Sequence, residues 1–237
     1  MDLARRLAPP GGAYPLGTDQ LGRCVLSRLL FAARISLGWT LLSVAVIAAL
    51  GTLVGLIAVT ARGWVDHLLM RIVDVFLACP TLVLCLAIVG FLGPSLAAAI
   101  GGVILAWWAG YARFVRGVAA GAMEQDYVAA SRLVGTPGWR ILLRHVLPQI
   151  AAPLMVLVSL DFGGVLLALS TLGFLGIGVQ PPTPEWGAML AEARHYILQA
   201  PHLLWVPGAA TAISVLACNL VGDGLRDRLG LHGTRPQ

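Results

Sequence analysis

The stretch Asp126-Tyr127-Val128-Ala129-Ala130-Ser131-Arg132-Leu133-Val134-Gly135-Thr136-Pro137-Gly138-Trp139-Arg140-Ile141-Leu142-Leu143-Arg144-His145-Val146-Leu147-Pro148 reads as a charged helix, a sharp corner and a second helix, hung between long apolar segments. Glu124 and Asp126 bring negative charge to a helix N-terminus, where the macrodipole favours it, and Tyr127 to Val134 continue without a breaker. Gly135 can take the left-handed conformation that stops a helix. Thr136 then reads as the cap of a second helix with Pro137 at its first position, running to Val146 before Leu147-Pro148 feeds the next apolar segment. A joint between two spans needs only about two to eight residues. A loop over 117–148 with two capped helices therefore reads as a receiving surface, the alternative being a plain connector.

The flanks place this loop in a membrane protein. Of the 237 residues 58% are apolar and 11% charged, and the mean hydropathy is +0.85, which a soluble domain of this length rarely shows. The sixteen basic residues are all arginine. They are scattered between apolar spans, so they read as loop charge facing lipid headgroups and not as a nucleic-acid surface. The absence of lysine excludes a G-x-x-x-x-G-K-[ST] phosphate loop and Schiff-base chemistry, both of which need that amine. Cys24, Cys79, Cys85 and Cys218 lack C-x-x-C spacing and read as small buried hydrophobes. The dispersed histidines offer no helical ligand pair, so no metal site and no cofactor can be drawn.

A helix needs ~20 predominantly apolar residues to cross the hydrocarbon layer. Five segments serve: about Ser36 to Ala61, Val75 to Leu92 ending at Gly93-Pro94, Leu96 to Trp108 and on toward Val115, Ile150 to about Ile177, and Leu203 to Val221. The expected fold is thus an all-α integral membrane protein with about five transmembrane helices. The first apolar run is too long, and starts too late, for a cleavable signal peptide. Positive residues in short loops stay cytoplasmic. Arg62, Arg71, Arg113, Arg116, Arg132, Arg140 and Arg144 follow spans one and three, and Arg226, Arg228 and Arg235 fill the tail, against Arg194 alone opposite. The corner loop and the C-terminus are therefore expected to face the cytoplasm.

That assignment leaves Arg5, Arg6, Arg23, Arg28 and Arg34 on the far side, against the rule, and points to one more helix at the start of related chains. Within 1–34, residues Leu21 to Leu37 place Val25, Leu29 and Ala32 or Ala33 on one face, as in an elbow helix lying in the headgroup layer. The alternative is an ordinary helix start capped by Asp19. A domain over 35–229 and a tail over 230–237 complete the division.

Several strings carry a resemblance: Pro15-Leu16-Gly17-Thr18-Asp19-Gln20-Leu21-Gly22-Arg23, Met70-Arg71-Ile72-Val73-Asp74, the corner loop, Leu172-Gly173-Phe174-Leu175-Gly176-Ile177-Gly178, Pro181 to Met189, and Asn219 to Asp227. Over about Tyr14 to Leu229 the chain resembles the second membrane subunit of the dipeptide, oligopeptide and nickel ATP-driven importers. The resemblance implies a type I importer permease fold in the bacterial inner membrane. It implies a second permease subunit, cytoplasmic ABC ATPase subunits and an extracytoplasmic substrate-binding protein as partners, beside membrane lipid. It also implies that Tyr127, Ala129, Ala130, Ser131, Arg132, Gly135 and Thr136 couple to the ATPase. Ala129 stands where the family motif often has Glu, and Cys24 where it usually has Asp.

Asp161 is the one carboxylate well inside a span, beside Gly163 and Gly164, and an ionisable group there should face the bundle interior or a wet cavity. It is a translocation-path candidate or a structural hydrogen-bonding group. Arg71 and Asp74 share a helix face at a spacing that suits a local ion pair. After Pro181-Pro182-Thr183-Pro184, Thr183 should cap a helix whose stripe of Trp186, Leu190, Ala193 and Ile197 lies flat at the outer interface, opposite Glu192, Arg194 and Gln199. Trp186 and Glu185 are the candidates for outer contact, with lipid or with the binding protein. Gly101, Gly102, Ala106, Gly110, Gly163 and Gly164 should permit close helix approach.

The function these features carry is that of a pore half that works by alternating access and borrows its energy. An ion-driven secondary transporter should instead show several midplane carboxylates and an inverted repeat, and a membrane scaffold would not need the corner loop. Trp107 to Arg113, Leu160-Asp161 and Glu192 to Tyr196 look closer to the nickel branch than to the peptide branch.

Overall fold

The computed structural model describes residues 3–61 and 63–230; Arg62 and residues 231–237, which hold Arg235 and nearly all of the expected tail, lie outside the described residues. The helices are α1 (Val25–Ala61), α2 (Gly63–Ala78), α3 (Thr81–Leu92), α4 (Leu96–Met123), α5 (Asp126–Leu133), α6 (Gly138–Ile141), α7 (Leu147–Phe174), α8 (Trp186–Ala193) and α9 (His202–Arg228), with a π turn over Leu142–Val146. Among the described residues the only β pairing is two isolated bridges, Gly11 with Tyr14 and Thr18 with Cys24. Helices α1, α4 and α9, and the run Gly138–Phe174, are long and apolar enough to cross a membrane; α2 with α3 makes a fifth span if the bent pair is taken as one.

Three boundaries differ from the sequence expectation, each for a local reason. The expected second span is two helices that meet at 90°. Pro80 has no N–H to continue the ladder and pushes Cys79 out of the helical region. The separate elbow helix is not found either: α1 is one helix of 37 residues. No glycine or proline interrupts Val25 to Leu37, and Arg28 finds carboxylates within the protein. Asp19 does not cap that helix; its carboxylate accepts the backbone N–H of Leu21 and of Arg23, each at 2.8 Å, and so closes the turn before it. The fourth span starts earlier than Ile150, because the π turn joins α6 to α7 without a break.

The chain divides into two compact units. The first comprises residues 1–43, 85–103 and 162–218. Its core gathers Val25 and Ala32 of α1, Leu166 of α7, Trp186 and Met189 of α8 and Leu203 of α9. The second comprises residues 44–84, 104–161 and 219–237. There Val115, Ala119, Val128, Ile141, Val146 and Ile150 form one core. Val73, Trp108, Ala109 and Ala112 form another, with Phe76 edge-on to Trp108 at 5.3 Å.

Close helix approach is made at some of the expected positions and also at others. Gly101, Gly110 and Gly164 face open space, and Gly102 alone of these four packs tightly, 3.1 Å from the Cys85 backbone for an added Cβ. In the second unit it is Gly51 and Gly55 of α1 that admit α4. A Cβ on Gly51 would lie 2.3 Å from Tyr111 Cβ and 2.9 Å from the Trp108 carbonyl oxygen. Gly51→Ala is therefore expected to push α1 off α4, at the roughly 1–3 kcal/mol typical of overpacking. The check is a lower Tm in detergent, with Gly38→Ala, whose surroundings are open, as the control whose Tm does not fall. The cysteines also divide: Cys85 is buried, Cys24 and Cys218 are half-buried, Cys79 is exposed, and all four are free thiols.

Candidate functional site

Helix α5 starts at Asp126 after Gln125, whose extended backbone ends the preceding turn without a side-chain cap. Its one buried residue is Val128, which joins the second unit's core. That single anchor leaves Tyr127, Ala129, Ala130 and Arg132 exposed, and Ser131 half-buried with its hydroxyl donating to the Tyr127 carbonyl at 2.8 Å. The corner follows. Gly135 sits at φ 78°, its N–H donating to the Arg132 carbonyl at 3.0 Å while Thr136 N–H donates to the Ser131 carbonyl at 3.1 Å. These two bonds satisfy carbonyls that a helix end leaves free. Thr136 itself is not the cap of the second helix: Pro137 holds that position in extended backbone, and no side chain caps the turn. Behind α5, the Gln149 amide donates to the Tyr127 hydroxyl and the His145 ring stands 5.6 Å from the Tyr127 ring. The coupling candidates Tyr127, Ala129, Ala130, Ser131, Arg132, Gly135 and Thr136 thus lie together on one knob.

The knob also carries apolar groups that the sequence reading did not single out. Leu133 is 89% and Trp139 61% exposed, and Val134 and Leu143 are exposed with them. Arg140 stacks over Trp139 at 5.3 Å. Beside them a groove of about 600 Å³ is lined by Thr60, Met123, Arg132, Thr136, Trp139 and Leu142, among others. Leucine and tryptophan left in the open on a polar loop are the signal that could have been read from Leu133-Val134 and Trp139.

Two ion pairs tie α2 to α4 in the same unit. Arg116 grips Asp66 with two bonds, 2.8 Å and 2.6 Å. Arg113 pairs with Asp74, and Arg71, the partner expected from spacing, reaches the same carboxylate at 4.0 Å, the limit of an ion pair, with its own side chain largely exposed. Asp161 lies half-buried on α7. Tyr111 of α4 is buried, and among the described residues its hydroxyl has no hydrogen-bond partner.

Helix α8 in the first unit differs most from expectation. Glu185, not Thr183, is its cap, the carboxylate accepting Gly187 N–H at 2.9 Å and Ala188 N–H at 2.8 Å. Trp186 is 3% and Glu185 5% exposed, so the two candidates for outer contact are buried in the core and not on the surface. Trp186 fills the core and donates its Nε1–H to the Leu29 carbonyl at 3.3 Å. Burial pushes the Glu185 carboxyl up, against the lowering bonds from Gly187, Ala188 and Ser36. Glu185→Ala removes a cap and strands two buried N–H groups, so a loss of about 1–3 kcal/mol is expected. Thermal unfolding of the purified protein is the check.

Glu192, expected on the polar face, is instead part of a charge cluster. Arg28 reaches Asp19 at 2.8 Å and Glu192 at 2.8 Å, Arg23 reaches Asp19 at 2.5 Å, and Gln20 donates to Glu192 at 2.9 Å. Burial would raise both carboxyls; hydrogen bonds from Arg23 and Leu21 to Asp19, and from Arg28 and Gln20 to Glu192, outweigh it and hold both below their ordinary values. The sign follows. A carboxyl lowered in the folded state stabilises it above the ordinary carboxylate range, and that contribution is lost as pH falls through the lowered value. Amide protection over α8, taken relative to the intrinsic exchange rate at each pH, should therefore persist from neutral pH down to the ordinary carboxylate range and fall below it.

Against known proteins, residues 49–231 match the family described as binding-protein-dependent transport system inner membrane component. The chain is 45% identical over 229 residues to a di/tripeptide transport system permease protein of Pseudomonas aeruginosa, covering 94% of this chain and 76% of that one. It is 41% identical over 232 residues to a nickel transport system permease protein of Escherichia coli, covering 98% and 84%. A glutathione transport system permease protein of Pectobacterium atrosepticum is 42% identical over 220 residues, covering 93% and 73%. Among solved structures, an inward-facing MetNI methionine ABC transporter aligns with TM-score 0.71 at 18% identity, over 85% of this chain and 96% of that one. An amino acid ABC transporter aligns with TM-score 0.63 at 16% identity, over 86% and 93%. At such identities it is the fold that is shared.

Proposed function

The chain belongs to the family of binding-protein-dependent transport system inner membrane components, and from that premise we propose that it is half of a heteromeric pore whose α5–α6 knob receives a cytoplasmic ABC ATPase. It is a multi-pass permease of an ABC importer in the bacterial inner membrane. The observation that carries the docking role is the knob itself: a short helix whose one buried residue is Val128, a left-handed corner at Gly135, and Leu133 and Trp139 left open beside a groove. Hydrophobic groups of that size on a charged loop suit a protein partner, since burying each stabilises a complex by about 1.5–3 kcal/mol. In this reading the partner hydrolyses ATP, and Tyr127, Ala129, Ala130, Ser131, Arg132, Gly135 and Thr136 pass its movement to α7 through the unbroken π turn.

The other half of the pore is a second permease subunit, against which the open faces at Gly101, Gly110 and Gly164 would pack. Asp161 faces the path between them, its charge tolerated because the path holds water. A soluble binding protein delivers the solute and favours one state of the pore, ATP the other, and that difference in affinity drives the switch. The solute is a nickel complex or a di- to oligopeptide. Uptake of labelled nickel and of labelled dipeptide, in cells with and without this gene, decides between them. Loss of neither uptake, or an uptake that a proton ionophore abolishes while ATP is held constant, would overturn the ATP-driven reading for these solutes.

A further inference from the structure

The two carboxylates of α8 are spaced to match two polar groups on α1. Glu185 accepts the Ser36 hydroxyl at 3.2 Å, and Glu192 accepts two bonds from Arg28 at 2.8 Å and 3.2 Å. Seven residues separate the carboxylates and eight the α1 partners, spans of about 10.5 Å and 12 Å at helical rise. The pairing runs in opposite directions along the two helices, so α8 lies antiparallel to the first turns of α1 and is pinned near both ends. Between the pins, the Trp186 indole bonds the Leu29 carbonyl. Helix α8 also meets α7 so closely that a Cβ on Gly187 would fall 2.1 Å from the Ser170 carbonyl oxygen. Arg28 adds a third body, because the same guanidinium nitrogen that holds Glu192 also holds Asp19 of the preceding segment. Its side chain is only 10% exposed. Removing it leaves two carboxylates close together without their central cation, a change far larger than the loss of a surface pair.

We infer that Arg28 is a positioning residue for transport, the clasp that makes the segment before α1, the first turns of α1 and helix α8 move as one body when the binding protein engages the pore. The inference rests on the proposed reading of the chain as a binding-protein-dependent permease. A rigid body is what the mechanism needs here. A docking protein can bias the pore only through an element whose two positions are discrete, and a loose α8 would absorb the push. The clasp is balanced in charge, two arginines against two carboxylates, so nothing in it depends on an outside ion.

The test uses the complete complex in proteoliposomes, with its second permease subunit, ATPase and binding protein. In Arg28→Met, ATP hydrolysis without binding protein is expected to stay at the wild-type rate, while stimulation by the loaded binding protein and solute uptake fall roughly tenfold, within the usual range of coupling between sites. Arg28→Lys, which keeps the charge but not the fork, should recover part of the stimulation. Hydrogen exchange at α8 amides should quicken in the Met variant and not at α5. Unchanged stimulation in Arg28→Met, or an equal fall of basal and stimulated hydrolysis, would overturn the inference. If the wild-type complex itself shows no binding-protein-dependent uptake, the functional reading fails. The exchange at α8 still decides whether Arg28 holds that helix, and unaltered exchange there refutes the clasp.

Discussion

Leu133→Asp combined with Trp139→Asp is expected to strip the ATPase subunits from the complex while leaving the permease folded. Both side chains stand in solvent in the isolated chain, so exchanging them for carboxylates should alter its own stability by no more than about 0.5 kcal/mol each. In a docked state both would be buried. Losing that burial removes about 1.5–3 kcal/mol per side chain, and a desolvated carboxylate opposes docking further. A combined loss of about 4 kcal/mol corresponds to a roughly thousandfold weaker complex. The measurement is the amount of ATPase retained when the permease is purified from membranes, beside the Tm and yield of the permease. Equal retention by the double variant would show that the partner sits elsewhere. Loss of the permease itself would mean that these side chains serve the fold, against their exposure.

How much of this was legible in the sequence depended on whether the governing interaction was local. Helix α5 and its stop at Gly135 were readable because a continuous run of helix formers and one glycine decide them within a few residues. The membrane class was readable because composition sets it. Pro80, too, was in plain view, but the apolar run around it masked the break, since hydropathy sums residues without asking which of them can donate a bond. The burial of Trp186 and Glu185 was not readable. A stripe of apolar residues on a short helix suits lipid and protein core equally, and the choice was made by Ser36 and Leu29, about 150 residues away in the chain. The clasp at Arg28 shows the same limit. Its arginine looked like a violation of the charge rule for loops, yet it is neutralised by Asp19 and Glu192, so the count of arginines on that side overstated the free positive charge. Arg23 pairs with Asp19 as well, 2.5 Å away. At least two of the five arginines that conflicted with the expected orientation, Arg23 and Arg28, are therefore compensated within the protein.

Gly135→Pro is expected to uncouple transport without removing the chain from the membrane. The corner turns on a backbone at φ 78°, where proline, fixed near −65°, cannot follow. Proline would also delete the N–H that Gly135 donates to the Arg132 carbonyl. A misfit of about 3 kcal/mol or more cannot be relieved by sliding into the core, because nothing lies within 4 Å of an added Cβ; it is relieved by the corner opening. The angle between α5 and α6 then changes, and with it the orientation of every coupling candidate from Tyr127 to Thr136. The spans do not depend on that angle, since Val128 is the only residue of α5 in the core. Uptake should therefore fall at least tenfold at equal abundance in the membrane. Gly135→Asn separates the two causes, for asparagine enters the left-handed region at modest cost and keeps the N–H; it should retain most of the uptake. Normal uptake by the proline variant would mean that the corner transmits nothing. A loss shared equally by the asparagine variant would assign the effect to the missing glycine surface instead of to the turn.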